Sequence, residues 1–352
     1  MELISYEKAL QKESTIYIDV RSPGEFAEST IPNAINIPVF NNKEREKIGK
    51  VYTNESPEKA RMLGVDLLAP KLPELVRKIK KIAKKYNYVI LFCARGGLRS
   101  ESIGVISEIV GMKLYKLDGG YKSYRHFILD RLEEYDLQSR LLVIHGYTGV
   151  GKTDLLYELD EVRMPIIDLE GLANHRGSAF GSIGLDEPTN QKMFDSVLWE
   201  RLEELNGEKI IAVEAESKRI GISVLPDFFL DAMDDGVHIL IESSLKARVN
   251  RIFDEYVNSY NQEPELFIDR LLESLSAIQK YIVKRVGKQG YRELVKIAKE
   301  GKLKEVVKIL LTEYYDPMYK YSQDKWGSFA LEIESDNLQK IAKDIIKFMK
   351  NY

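Results

Sequence analysis

The stretch Gly146-Tyr147-Thr148-Gly149-Val150-Gly151-Lys152-Thr153 restricts the folds open to this chain more than any other segment. It has the spacing G-x-x-x-x-G-K-[ST], follows the apolar run Leu141-Leu142-Val143-Ile144 and precedes the helical pattern Asp154-Leu155-Leu156-Tyr157. Strand, glycine loop, helix is the order that a phosphate-binding P-loop requires. A backbone wrapped around phosphate oxygens with its amides inward needs glycines, here Gly146, Gly149 and Gly151. The helix N-terminus adds partial positive charge, Lys152 bridges phosphates, and the Thr153 hydroxyl suits a magnesium ion. A glycine turn without a ligand would have no use for that lysine and threonine. A carboxylate for the metal is expected at the end of a later strand, where Ile210-Ile211-Ala212-Val213-Glu214-Ala215-Glu216 offers Glu214, the preferred reading, and Glu216. The competing reading is that one of the two caps a helix or pairs with Lys218 or Arg219. No motif for adenine or guanine is evident, so a nucleotide and another pyrophosphate ester both fit the loop.

The only cysteine, Cys93, opens a second loop of related construction, Cys93-Ala94-Arg95-Gly96-Gly97-Leu98-Arg99-Ser100. The run Tyr88-Val89-Ile90-Leu91-Phe92 before it reads as a buried parallel strand, and Ile103, Val105, Ile106 and Ile109 after it as a helix. A thiol at a helix N-terminus beside arginines ionises below the ordinary value of about 8.5, and this segment has both features. Arg95 and Arg99 are expected to hold an oxyanion, while Gly96 and Gly97 let successive amides converge on it. A lone cysteine is more often a small buried hydrophobe, but the residues that follow argue against that here. Two chemistries share the pattern. Cysteine, five residues, then arginine is the grip of cysteine phosphatases, and a cysteine leading a glycine-arginine loop after a strand is also that of rhodaneses, whose thiolate carries sulfur or selenium. A phosphatase would usually have histidine before the cysteine, where this chain has Phe92.

With 352 residues, the chain is long for one core and suited to two domains. An apolar fraction of 44% and a charged fraction of 30% exclude a fibrous or disordered class. A single cysteine rules out an internal disulfide, and Met1-Glu2-Leu3-Ile4-Ser5 lacks a secretory layout, so a cytoplasmic protein is expected. No apolar stretch approaches the roughly 18 to 20 residues of a membrane span, and no membrane role is expected. A net charge of −3 leaves nucleic-acid contact to local patches. One patch is Arg77, Lys78, Lys80, Lys81, Lys84 and Lys85, opposite the apolar face Leu72, Leu75, Val76, Ile79 and Ile82, and reads as a solvated helix face. The other runs from Lys284 and Arg285 through Lys288, Arg292, Lys296, Lys299, Lys302, Lys304 and Lys308. Tyr281, Tyr291, Tyr314, Tyr315, Tyr319 and Tyr321 lie near it and would stack on bases if exposed.

Strands are expected at 16–20, 34–37, 88–92 and 113–117, with helices between and a helix over 121–135. A boundary at 136–140 then introduces a second α/β pattern, with strands at 141–144, 165–168, 209–213 and 237–241. From about 243 to 325 the pattern is helical, and a last strand is expected at 329–333. The domains are therefore placed at 1–135 and 139–352.

Asp19-Val20-Arg21-Ser22-Pro23-Gly24-Glu25-Phe26 and Ile31-Pro32-Asn33-Ala34-Ile35-Asn36-Ile37-Pro38 resemble the two rhodanese-homology signatures, and Leu117-Asp118-Gly119-Gly120-Tyr121 the segment closing that fold. A Gly-His pair usually precedes the Ile-Pro of rhodanese domains, where this chain has Ser29-Thr30, a departure at a structural turn. A rhodanese-like α/β domain followed by a P-loop NTPase-like α/β domain with a helical C-terminal portion is similar to the tRNA 2-selenouridine synthase family. Besides the two loops, the resemblance rests on His175-Arg176-Gly177-Ser178-Ala179-Phe180-Gly181 and Val213-Glu214-Ala215-Glu216-Ser217-Lys218-Arg219-Ile220-Gly221. It implies a transferase acting on wobble 2-thiouridine of tRNA. Geranyl diphosphate first geranylates the sulfur, and selenophosphate then replaces S-geranyl with selenium. In that reaction Gly149, Gly151, Lys152 and Thr153 would grip the diphosphate, with magnesium a possible aid, and Cys93 would take or position selenium. His175, Arg176 and Ser178 would form a substrate loop, although a loop histidine that only bonds locally fits equally well. A selenophosphate-producing enzyme is a conceivable partner. The alternatives are a P-loop kinase or NTPase with a regulatory rhodanese module, and a rhodanese domain that only docks a partner.

Overall fold

A computed structural model describes residues 1–178, 180–181, 183–185, 187–257, 264–318 and 328–350. The chain divides into two compact units, the first comprising Met1–Glu134 with Asp195–Trp199 and the second the remaining chain from Tyr135.

Five strands build the first sheet: Glu2–Ile4 (β1), Thr15–Asp19 (β2), Ile35–Asn36 (β3), Tyr88–Phe92 (β4) and Tyr115–Leu117 (β5). Their order is β1-β5-β4-β2-β3, with every pair parallel. Parallel strands need crossovers, and helices covering both faces bury the middle strand, which explains the unbroken apolar run of β4. Ile18, Val20, Leu91 and Ile103 are wholly buried at the centre of this core. The edge strand β1 escapes the sequence pattern because it has three residues, of which only Ile4 is buried. Helix Leu72–Ala83 buries Leu75 and Ile79, and Arg77, Lys78, Lys80, Lys81, Lys84 and Lys85 face solvent as expected.

The second sheet contains Arg140–His145 (β6), Ile166–Ile167 (β7), Ile210–Glu214 (β8), Val237–Glu242 (β11) and Leu331–Glu334 (β12), in the parallel order β12-β11-β6-β8-β7. Arg219–Ile220 (β9) and Ser223–Val224 (β10) form a separate antiparallel pair too short to show a sequence period. Beyond β11 come helices Leu245–Tyr256, Pro264–Ala277, Gln279–Lys299 and Leu303–Ile309 and a π-helical turn Leu310–Tyr315. These helices have a core of their own around Leu275, Ile282, Leu294, Ala298 and Val306. Gly287, at φ 74°, kinks the long helix Gln279–Lys299. This packing corrects part of the aromatic reading: Tyr314 and Tyr315 are buried in the helical core and Tyr291 packs against it, so none of the three is an open stacking platform. Tyr281 remains 60% exposed on the helix that carries Lys284, Arg285 and Lys288. Tyr319 and Tyr321 lie outside the described residues.

Candidate active sites

Strand β4 delivers Cys93 to the carboxyl edge of the first sheet, where the chain turns into helix Leu98–Ile109. The thiol is 3% exposed; its Sγ accepts a hydrogen bond from the Gly97 amide at 3.1 Å and one from Ser100 Oγ at 3.3 Å. Gly97 is the N-cap of that helix and offers no capping side chain, which leaves the first amides to serve the loop. The loop is held from below by backbone alone: Tyr121 N donates to Cys93 O and Lys122 N to Ala94 O, each at 2.9 Å. Gly120, at φ 61°, makes this possible, since a Cβ there would run into Cys93 O and Gly96 N.

The two arginines of the loop separate. Arg95 is exposed, whereas Arg99 is bound by Glu25 through two hydrogen bonds of 2.6 and 3.1 Å. The expectation that both would grip an oxyanion is thus modified for Arg99, whose fork is already matched to a carboxylate. Glu25 is available because it is the third residue of helix Pro23–Glu28, in a capping box with Ser22. Burial alone would raise the Glu25 carboxyl, but the Arg99 guanidinium and Ser22 outweigh it and hold it at about 2. Beneath lies a buried ion pair, Asp19 with Arg21, at 2.6 Å. Arg21 also donates to Ser29 O, Thr30 Oγ1 donates to Asp19 at 3.0 Å, and the guanidinium lies 4.1 Å from the Tyr121 ring centre. Ser29-Thr30, the departure from the rhodanese signature, is therefore part of this polar network.

In the second unit β6 leads into the P-loop, with Gly149 at φ 81° and Gly151 at φ 85°, beyond the reach of ordinary side chains. Gly146 instead meets a packing limit: a Cβ would lie 2.8 Å from Ile241 O on the neighbouring strand. Lys152 opens helix Lys152–Glu161 and its Nζ lies 4.0 Å from Glu216 Oε1. Thr153 Oγ1 stands 3.3 Å from Glu170 Oε2. Glu214 closes β8, directly beside β6, and is completely buried. Its Oε1 accepts the Glu170 amide at 2.9 Å, and its Oε2 has no hydrogen-bond partner among the described residues. Burial, with Asp168 close by, pushes Glu214 well above the usual carboxylate range; burial and Glu216 raise Glu170 to about 8. Neither Glu214 nor Glu216 pairs with Lys218, which binds Asp227.

Such an accumulation of carboxyls calls for a cation. The donors are a hydroxyl and carboxylates, all hard oxygens, and Glu214 Oε2 has an unused valence. No three His, Cys, Asp or Glu side chains form a metal site unaided among the described residues.

His175 sits in the loop after helix Leu169–Ala173, its ring confined by Gly181 and Gly221, where added Cβ atoms would come within 2.8 and 2.7 Å. Its Nδ1 has no partner among the described residues; burial and then Arg176 lower its pKa, favouring the neutral ring. Arg176 is engaged internally by Glu255, by Ile183 O at 2.8 Å and by the Tyr256 ring. Ser178 accepts the Phe180 amide at 3.2 Å and lines an apolar cavity with Thr148 of the P-loop.

Sequence reasoning missed Arg248 and Arg251, one turn apart on helix Leu245–Tyr256. Arg248 donates to Thr148 O at 2.9 Å and pairs with Asp316; Arg251 donates to Val150 O at 2.9 Å. They satisfy the carbonyls that point outward when the loop's amides point inward. Only an arginine pair at helical spacing after a strand signals this, a pattern common on any charged helix.

A cysteine loop on one parallel sheet and a P-loop on a second define a two-domain α/β protein. A sequence model described as a rhodanese-like domain matches residues 4–126, and one described as the tRNA 2-selenouridine synthase AAA domain matches residues 139–347. The chain is 33% identical to a tRNA 2-selenouridine synthase of Shewanella sediminis, with 88% of each chain covered. It is 35% identical to that of Hydrogenovibrio crunogenus, covering 88% of this chain and 89% of the relative. For the relative in Sulfurovum sp. NBC37-1 the identity is 32%, over 96% of this chain and 95% of the other. The chain belongs to the tRNA 2-selenouridine synthase family. No helix among the described residues is long and apolar enough to cross a membrane.

Two outcomes follow from this geometry. Gly120→Ala adds a Cβ against backbone at positive φ and should destabilise the first unit by about 3 kcal/mol or more, measured as loss of its thermal transition. Because the folded Glu25 pKa lies below its ordinary 4.5, the stability it contributes is complete above about pH 4.5 and is lost as pH falls toward about 2. Denaturant unfolding across that window should show this loss, and Arg99→Ala should remove most of it.

Proposed function

We propose that this chain is a tRNA 2-selenouridine synthase that acts on wobble 2-thiouridine in two steps. The observation that carries the reading is the presence, in one chain of that family, of a cysteine in an amide-lined loop and of a complete P-loop. In the first step the base sulfur attacks C1 of geranyl diphosphate. A sulfur–carbon bond forms, the C1–oxygen bond breaks, and diphosphate leaves with the electron pair. Gly149, Gly151 and Lys152 grip the diphosphate and offset the charge it gains on departure. Thr153, Glu170 and Glu214 would hold a magnesium ion, which supplies further positive charge to the leaving group. Arg248 and Arg251 keep the loop in its cradle shape from outside.

In the second step the selenium of selenophosphate attacks C2 of the base, the C2–sulfur bond breaks and geranyl thiol leaves, and water then cleaves the selenium–phosphorus bond to release phosphate and leave 2-selenouridine. Cys93 positions the selenophosphate for its attack, with Gly97 N and Ser100 Oγ orienting its sulfur and exposed Arg95 balancing the anion. The tRNA would be met in part by exposed Tyr281 with Lys284, Arg285 and Lys288, a stacking ring beside phosphate-binding cations. A cytoplasmic enzyme supplied by a selenophosphate-producing partner fits these substrates.

Mass analysis of nucleosides from 2-thiouridine tRNA incubated with geranyl diphosphate and selenophosphate tests the scheme. Cys93→Ala should abolish 2-selenouridine yet leave S-geranyl-2-thiouridine formation within about threefold of wild type. Lys152→Ala should reduce geranylation by about 100-fold or more. Loss of both products in Cys93→Ala would contradict separate sites, and ATP or GTP turnover that needs Lys152 but ignores tRNA would favour an NTPase instead.

A further inference from the structure

An apolar cavity opens beside the P-loop, entirely within the second unit. Thr148 of the loop forms part of its wall, as does Ile252, whose side chain would lie 2.8 Å from a Cβ placed on Gly149. The wall continues with Phe267 and Leu271 of helix Pro264–Ala277 and with Val306 and Leu310, all four from the separate helical core. The cavity thus extends from the phosphate loop to that core.

Among the described residues the lining side chains carry only hydroxyls as polar groups, on Thr148, Ser178, Tyr256 and Tyr315. No described amide, carboxylate or cationic side chain lines it, so nothing among them matches the donor and acceptor edge of a nucleobase. An apolar chamber joined to a diphosphate grip suits an amphiphile with a charged head and a hydrocarbon tail. Each CH₂ group moved from water into such a chamber strengthens binding about fourfold.

We infer that this cavity holds the hydrocarbon chain of a prenyl diphosphate, and that side chains lining it, Leu271 and Val307 among them, limit the chain length accepted. The inference rests on the prenyl-transfer reading above and adds the residues that measure the substrate. Leu271 is 6% exposed, so its truncation enlarges the space; Val307 is half-buried on the same wall, where a larger side chain intrudes without entering the deepest packing.

The test uses the full chain, 2-thiouridine tRNA and, in turn, dimethylallyl, geranyl and farnesyl diphosphate. The readout is the ratio of kcat/KM between chain lengths within one preparation, which is independent of the fraction folded. Leu271→Ala should raise the farnesyl-to-geranyl ratio about tenfold or more, and Val307→Phe should lower the geranyl-to-dimethylallyl ratio by a similar factor. Wild-type protein should bind geranyl diphosphate at least tenfold more tightly than inorganic pyrophosphate. Equal binding of the two, or unchanged ratios in both variants alongside normal wild-type geranylation, would overturn the cavity assignment and leave the two-step function standing. Failure of the wild type to transfer any prenyl group would overturn the function itself.

Discussion

Parallel strand pairing is the constraint on which both sites depend. Each sheet places one strand in its middle, β4 between β5 and β2, and β6 between β11 and β8. A middle strand of a parallel sheet ends at an edge flanked by strands running the same way, so the loop leaving it meets the amides of the following helix rather than a returning hairpin. Cys93 and Gly146 occupy equivalent positions in this respect: each is the first loop residue after its middle strand. The same architecture, used twice, presents a cysteine loop in one unit and a P-loop in the other.

The two loops are stabilised by different means. Around Cys93 the loop is tied to Tyr121 and Lys122 backbone to backbone, with Gly120 close enough to lock the turn, and the nearby charges are already matched as Asp19 with Arg21 and Glu25 with Arg99. Around the P-loop, carboxyls are packed against one another as well as against cations. Glu170 and Glu214 are raised by burial and by neighbouring carboxyls, with Lys152 as the nearby cation. A matched network favours a rigid support, whereas a buried carboxyl oxygen with no hydrogen-bond partner among the described residues, such as Glu214 Oε2, carries a desolvation cost. Next to the loop, His145 is held neutral by burial and by its contact with His238, which lowers it to about 3 and adds no competing cation.

Much of this was legible in the chain itself. The strands β2, β4, β6, β8 and β11 show apolar stretches and β5 and β12 alternate apolar with charged residues, and both loops carry glycines at positive-φ positions, Gly96, Gly149 and Gly151. Short elements such as β1, β9 and β10 leave no period, since two or three residues with one buried side chain resemble any loop. The tyrosines near the basic stretch misled for a related reason: spacing along a helix does not reveal which face meets another helix, and Tyr314 and Tyr315 meet the core. Arg99 and Arg176 were legible as cations, but their carboxylate partners, Glu25 and Glu255, lie 74 and 79 residues away in the chain.

The amino-acid sequence by itself determined two α/β units, a cysteine loop and a phosphate loop, because strand periodicity and glycine placement are local properties that neighbouring residues must satisfy together. Tertiary structure alone decided which cations are spent on internal carboxylates, which carboxyls are forced together beside Lys152, and that an apolar chamber adjoins the P-loop. Those outcomes depend on contacts between helices and strands far apart in the chain, and burial sets their energies. Residue order does not encode burial until the chain has packed.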